Sequence, residues 1–364
     1  MNVPKLRFPE FNSDWNETTL KNIATINPKN ETLPDKFIYI DLESVNKGIL
    51  SQEKIISKSN APSRAQRIIK KNDILFQTVR PYQQNNYFVE EIKELPYVAS
   101  TGYALIRTNE DSYFVYSLLH KKDFLDKVID RCTGTSFPAI SSNDLGEINI
   151  NIPDIQEQTK ISNFLSLLDK KIELQTKKIE ALKLFKLGLR NELFREPQNI
   201  KIKLRNLVKC ESSTITLKDI ENDFGLYPIY GATGLIKNIS KYNFENKYIA
   251  IIKDGAGVGR TILCNGKSSI LATMNALIPK NEYPINYICE HINRIKFEKY
   301  IVGSGIPHIY FKDYGNEELS IHSLEEAYKI DLVFKNLDKK IELLYNKLNK
   351  LSELKKGLMQ SMFV

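Results

Sequence analysis

The chain has 364 residues, enough for two or three domains with cores of their own, and its 42% hydrophobic and 26% charged content is ordinary for a globular protein. No apolar run approaches the roughly 18 residues of a membrane-spanning helix, and Met1-Asn2-Val3-Pro4-Lys5-Leu6-Arg7 lacks the apolar core of a signal peptide, so a cytoplasmic protein is expected. The net charge of +8 points first to nucleic acid and then to an anionic membrane, against a Lys-, Asn- and Ile-rich composition that drifts basic by itself.

In chain order, residues 16–150 are rich in Tyr, Ile, Val, Gly and Pro. They carry apolar runs of strand length at Phe37–Ile40, Ile74–Phe76 and Tyr103–Ile106, with a helix expected over 113–130. Thr78-Val79-Arg80-Pro81-Tyr82-Gln83-Gln84-Asn85-Asn86-Tyr87 follows one of these strands and packs an arginine, four carboxamides and two tyrosines into one polar run. Arginine pairs bidentately with guanine, and Asn or Gln with adenine, in the major groove. Thr78, Arg80, Tyr82, Gln83, Gln84 and Asn85 are therefore candidate DNA contacts, with a plain polar turn as the alternative. Gly134-Thr135-Ser136-Phe137-Pro138 reads as a fixed turn first, with Ser136 as a further candidate contact.

Residues 154–194 differ sharply, with no internal proline and a seven-residue apolar period through Leu165, Leu168, Ile172, Ile179, Leu182, Leu189 and Leu193. Such a pattern predicts a coiled-coil helix about 60 Å long. Pro153 and Pro197 fence it, and Arg195–Asn199 is a short linker.

Residues 200–320 resemble the first mixed segment, with strands at Tyr248–Ile252 and Ala276–Ile278 and a short helix over 284–300. Leu204-Arg205-Asn206-Leu207 loosely echoes Leu20-Lys21-Asn22-Ile23, although the middles of the two segments hardly align. Tyr227–Leu235, with Lys237 and Lys241 beyond it, offers aromatics, flexible backbone and phosphate-binding charge; Tyr230, Lys237 and Lys241 are candidates. Gly255-Ala256-Gly257-Val258-Gly259-Arg260 follows a strand and invites a dinucleotide-binding reading. That reading needs a helix at the last glycine, whereas Thr261–Cys264 reads as another strand. A glycine-rich hairpin is expected, still allowing close backbone approach to phosphate, with Lys253 and Arg260 as candidate contacts. Gly303-Ser304-Gly305-Ile306-Pro307-His308 repeats the pre-helix turn and adds His308 as a candidate.

The second helix, 323–363, reproduces the seam with Phe334, Leu337, Ile341, Leu344, Leu348, Leu351, Leu358 and Met362. Indeed residues 134–194 recur at 303–363 at a constant offset of 169, without a gap: Asp169–Leu174 returns letter for letter as Asp338–Leu343, and Lys186 returns as Lys355. A chain built as two equivalent halves follows. The fold class is α+β: two globular domains joined by a long antiparallel two-helix coiled coil, with an internal pseudo-two-fold repeat. The boundaries are 1–153 for the first globular domain, 154–195 for the central helix, 196–320 for the second globular domain and 321–364 for the C-terminal helix.

No G-x-S-x-G elbow, H-E-x-x-H, Walker lysine, N/D-P-P-Y signature or carboxylate–lysine nuclease cluster is present, so no catalytic residue is assigned. The four cysteines are widely separated and the four histidines unpaired, so no metal site is assigned either.

The duplicated set resembles a known family, the specificity subunits of type I restriction-modification systems, over essentially the whole chain. Its carriers are Pro153 through Phe194 with the Gln156-Glu157-Gln158 opening, the repeat at 321–363, and the Gly134 to Asp144 turn. Asp73–Phe76 leading into Thr78–Pro81, and Tyr227–Gly231, complete it. One departure is Ile321-His322-Ser323, which replaces the usual proline-containing start. The resemblance implies two target recognition domains, each reading one half of a bipartite, asymmetric double-stranded DNA site. It implies helices that set the spacer and dock two modification subunits, with motor-nuclease restriction subunits joining for cleavage. This chain would then be non-catalytic and hold no cofactor; S-adenosylmethionine, Mg and ATP, and adenine N6-methylation, would belong to the partners. On the residues alone two other classes stay open: a self-contained methyltransferase or nuclease, which demands cofactor binding, and a coiled-coil scaffold, which predicts no salt-sensitive DNA affinity.

Overall fold

The computed structural model describes residues 3–29, 32–195, 200–303 and 305–364. Pro197, the linker beyond Arg195, and Ser304 of the second turn lie outside the described residues. The chain divides into two compact units, 1–176 with 347–364, and 177–346. The long helices run Ile155–Leu193 and Leu324–Ser361, and each contributes one part to each unit.

In the first unit, strand Asn16–Thr19 pairs antiparallel with Asn149–Ile152, the strand that leads into the first long helix. One turn of helix, Leu20–Ile23, follows. The chain then builds two four-stranded sheets. One has the order Lys54–Ser57, Lys36–Ile40, Tyr97–Ser100, Ala65–Ile68; the other has the order Ala24–Ile26, Tyr103–Thr108, Ile74–Gln77, Tyr87–Phe88. The apolar runs legible in the sequence form the buried central strands of these sheets.

The helix expected over 113–130 is two helices, Ser112–Leu118 and Lys122–Asp130. Asp111 caps the first, its carboxylate accepting the N–H groups of Tyr113 and Phe114, and Lys121 is extended at the start of the second. The bend lets Phe114, Phe124 and Val128 enter one core. Met359, Met362 and Phe363 from the far end of the second long helix close that core, with the Phe363 ring 5.1 Å from Phe114 and 6.3 Å from Trp15.

The second unit repeats the frame. Strand Ile200–Lys203 pairs antiparallel with Glu318–Ile321, and the single turn Leu204–Leu207 follows, as its echo of Leu20–Ile23 predicts. A four-stranded sheet has the order Val208–Ser212, Met274–Pro279, Tyr248–Ile252, Thr261–Cys264. It matches the second sheet of the first unit strand for strand, although their sequences hardly align. A three-stranded sheet, Gly234–Ile239, Tyr227–Gly231, Ser269–Ile270, stands beside it. The helix expected over 284–300 is Ile285–Ile292, followed by a separate 3-10 turn at Phe297–Tyr300. Phe194, one repeat before Phe363, closes the second core against Tyr287 and Phe334.

In each unit the two helical parts run antiparallel with the predicted seam turned inward. Lys355 pairs with Asp169 in the first unit and Lys186 with Asp338 in the second, the same pair one repeat apart. Every seam residue is buried or half-buried, with Gln175 a buried polar member that the apolar period passes over.

The two helix starts differ for a reason. Asp154 accepts the Glu157 N–H ahead of the first. Ahead of the second, Ser323 and Glu326 form a capping box, side chain to backbone in both directions. Position 322, where the first copy has Pro153, donates its backbone N–H to the buried Tyr287 hydroxyl at 2.8 Å. A proline has no N–H to give.

Candidate nucleic-acid interface

In the first unit, strand Ile74–Gln77 runs out into the polar loop, and the pre-helix turn folds back against it. Arg80 N–H donates to Pro138 O at 2.7 Å, Ile140 N–H donates to Thr78 O at 3.1 Å, and Val79 bridges Ala139. The Arg80 guanidinium lies 4.3 Å over the Phe137 ring, a cation–π contact that holds a charged fork at the surface. Arg80 and Gln84 are left-handed, at φ 54° and 51°, and bracket the 3-10 turn Pro81–Gln83. Few residues besides glycine adopt that backbone, so the loop is shaped rather than slack.

The structure thus brings Arg80, Tyr82, Gln83, Gln84, Asn85 and Ser136 onto one surface. Tyr82 is 53% exposed, and Gln83 and Ser136 are exposed. Thr78 is set apart: it is buried, and its hydroxyl donates to Gly102 O at 2.9 Å. Asn86 is also internal. Its oxygen accepts the Gln77 N–H at 2.8 Å, and its amide nitrogen meets the ring of His120 at 3.3 Å. Burial holds His120 neutral, pushing its pKa down to about 4.

The second unit carries the same junction at the same place on the matching sheet. Gly255 N–H donates to Pro307 O at 2.9 Å, Ile309 N–H donates to Lys253 O at 3.0 Å, and Asp254 bridges His308. By these bonds Gly255 stands where Arg80 stands, and His308 where Ala139 stands. Gly134 and Gly303, at the heads of the two turns, share a φ of 91°. The glycine-rich segment is the hairpin expected from the sequence: Tyr248–Ile252 pairs antiparallel with Thr261–Cys264, and Gly255, Gly257 and Gly259 all take positive φ.

Arg260 and His308 lie at this loop-and-turn junction, while Lys253, the counterpart of Thr78 by its bond to Ile309, is half-buried at the junction's base. His308 Nδ1 is paired with the Asp254 carboxylate, a residue that no sequence motif marks. Arg260 reaches Ala232 O at 3.3 Å, which links the glycine loop to the turn of the Tyr227–Ile239 hairpin. The other candidates lie differently. Tyr230 is half-buried against the sheet, where burial raises its hydroxyl pKa. Lys237 caps the turn before it, donating to Ile220 O at 2.8 Å and Glu221 O at 3.2 Å and lying 3.8 Å over Phe224. Lys241 is exposed beyond the hairpin.

Sequence reasoning also passed over the tips of the two turns. Phe137 and Ile306, one repeat apart, are 62% and 71% exposed. The signal was an apolar residue at the same offset in both copies.

Comparison with known proteins places this arrangement. The chain is 30% identical over 175 residues to the specificity subunit of the type I restriction enzyme HindI of Haemophilus influenzae, covering 45% of this chain and 37% of that one. It is 29% identical over 167 residues to the MjaVIII specificity subunit of Methanocaldococcus jannaschii, covering 45% of this chain and 36% of that relative. The chain thus spans little more than a third of either curated relative. In fold it matches a type I restriction-modification S subunit from M. genitalium with a TM-score of 0.68 at 18% identity, over 100% of this chain and 99% of the other. A second structure, from work on complex assembly and conformational transition of the type I R-M system, matches with a TM-score of 0.54 at 20% identity, over 96% and 97%. The family described as the type I restriction modification DNA specificity domain matches twice, at residues 12–184 and 198–353. Two copies covering nearly the whole length, in a chain whose two loop-and-turn junctions coincide, make this protein a member of the type I restriction-modification DNA specificity family.

Proposed function

We propose that this chain is the sequence-specific DNA-recognition subunit of a type I restriction-modification complex. The target recognition domains are residues 1–153 and 196–320, with 154–195 and 321–364 as the conserved helices. Each domain reads one half of a bipartite, asymmetric site through its loop-and-turn junction. The carrying observation is that these junctions are built by the same backbone bonds in both units yet display different chemistry: Arg80 with carboxamides in one, a glycine loop with Arg260 and the Asp254–His308 pair in the other. A fixed mount with divergent loops suits two readers of different sequences.

In this reading the chain does no chemistry and holds no cofactor. S-adenosylmethionine belongs to two modification subunits docked on the helices, while ATP and Mg belong to motor-nuclease subunits. The helices also set the spacer between half-sites. No helix among the described residues is long and apolar enough to cross a membrane, in keeping with a cytoplasmic site of action on DNA.

Mapping methylated adenines in the host with and without this gene tests the proposal. A split motif that disappears with the gene is the expected result, and unchanged methylation refutes it. Salt titration separates the scaffold reading, because a subunit that neutralises several phosphates loses DNA affinity steeply as salt rises.

A further inference from the structure

Three groups that the 80–85 loop turns outward are hydrogen-bond donors: two are amides whose carbonyl oxygens are held inward, and the third is the Arg80 guanidinium. Backbone N–H groups only donate, so the atoms they meet must be acceptors. Asn85 N–H donates to Gln77 Oε1 at 3.1 Å, which makes the other end of that amide, Nε2, the donor end. Gln77 Nε2 gives its two hydrogens to Val79 O and to Gln83 Oε1, both at 2.8 Å. Gln83 therefore accepts with its oxygen and points its NH2 away, and no acceptor among the described residues takes it. Lys47 N–H donates to Asn85 Oδ1 at 3.0 Å, so Asn85 is turned the same way. Gln77 itself is 1% exposed and pinned by its own N–H to Asn86. Arg80 has donors only, whatever its orientation.

We propose that this loop is a donor-only reader. At the positions that Arg80, Gln83 and Asn85 contact, it selects bases that present acceptors in the major groove. Guanine, with N7 and O6, and thymine, with O4, present acceptors and no amino group there; cytosine presents an amino donor, and adenine carries one beside its N7 acceptor, so both are disfavoured. This departs from the bidentate Gln–adenine pairing expected from residue type, which needs the carbonyl oxygen outward. Gln77 is the positioning residue: it touches no base, and it fixes which end of Gln83 does. The inference rests on the DNA-reading function proposed above.

The test uses the full chain, purified from its host with its bound partners, selecting duplexes from a randomised pool. Gln83→Glu and Asn85→Asp are isosteric. One oxygen of each still accepts the internal bond, while the outward atom changes from donor to acceptor. The new negative charge weakens binding at every sequence alike, so the readout is relative base preference. The wild type is expected to show guanine or thymine at the position each variant affects. The variants should shift that position toward cytosine by about ten-fold or more, and Gln77→Leu should let adenine in at the Gln83 position. A wild-type preference for cytosine or adenine at those positions, or an unchanged motif in both variants, overturns the proposal. If the wild type enriches no motif at all, the DNA-reading function itself falls, and this inference with it.

Discussion

Lys186 donates to Asp338 at 2.6 Å, and the partner residues of this pair recur one repeat away as Lys355 and Asp169. Lys186 follows Asp169 by as many residues as Lys355 follows Asp338, so the two pairs hold the helices in one antiparallel register in both units. Each pair also ties the seam to a globular core. Lys186 reaches Glu290, which Arg190 holds as well, and Asp169 accepts the hydroxyl of Tyr113.

Removing the lysine should cost far more than removing the aspartate. Glu290 is 2% exposed, and Lys186→Met takes away one of its two cations; breaking a buried pair costs about 3 kcal/mol. Asp338 is 44% exposed and well screened, so Asp338→Asn should cost below about 1 kcal/mol. Urea unfolding of the full chain measures both, and equal losses would refute the claim that burial sets the difference. Burial alone lowers the Lys186 pKa, but its bonds to Asp338 and Glu290 outweigh that and raise it. The contribution of the pair should therefore be full at neutral pH and be lost as pH rises from the ordinary lysine value of 10.5 through the raised one.

The two glycines that end the second junction's loop should respond differently to alanine. A Cβ on Gly255 meets open space, leaving only the strain of φ +85°, about 1 kcal/mol. A Cβ on Gly259 would lie 2.6 Å from the Phe297 ring, so Gly259→Ala should be the more destabilising by at least about 1 kcal/mol. Thermal unfolding that ranks the two the other way would contradict the packing described.

Arg80→Lys keeps the charge and loses the planar fork. It should relax one base position of the first half-site by about 1–3 kcal/mol while leaving the second half-site untouched. Competition binding with single-base variants of the site reads this directly. A uniform loss across all sequences would mean that Arg80 holds phosphate.

Two histidines held out of solvent, the half-buried His120 and the buried His291, make the fold acid-sensitive. Burial lowers the His120 pKa to about 4 and the His291 pKa to about 3, each from an ordinary value near 6.5. The unfolded chain therefore takes up these protons first. Stability should be full above about pH 6.5, fall as pH drops toward 4, and by then have lost on the order of 3 kcal/mol through His120. His120→Gln should lower stability at pH 7 yet flatten the decline between pH 6.5 and 4, as followed by unfolding at several pH values.

Seven residues inserted after both Leu174 and Leu343, each 59% exposed, keep the seam in register and add about 10 Å of helix. If the helices set the spacer, the methylated motif should keep its half-sites and gain about three base pairs between them. Active insertions with the original gap would show that the helices only hold the chain together.

The seam was legible because a seven-residue period is local and repeats many times, and the glycine turns because both copies carry them. The glycine hairpin followed from the strand that succeeds it. The match between the two four-stranded sheets was not legible, since short apolar strands such as Ile74–Gln77 and Tyr248–Ile252 share a role without sharing residues. Nor could the sequence tell that Lys237 caps a turn or that Thr78 bonds Gly102, because those partners lie well apart in the chain. The break at His120 was not legible because no glycine or proline marks it within 113–130.

The hydroxyl of Tyr287 sets a limit on how alike the two copies can become. Gene conversion tends to erase differences between repeats, and Asp169–Leu174 and Asp338–Leu343 are already identical. Copying the first helix start over the second would write proline at position 322 and delete the N–H that this buried hydroxyl accepts. Each such event would be selected against at that one codon, so the duplicated frame stays two distinguishable copies.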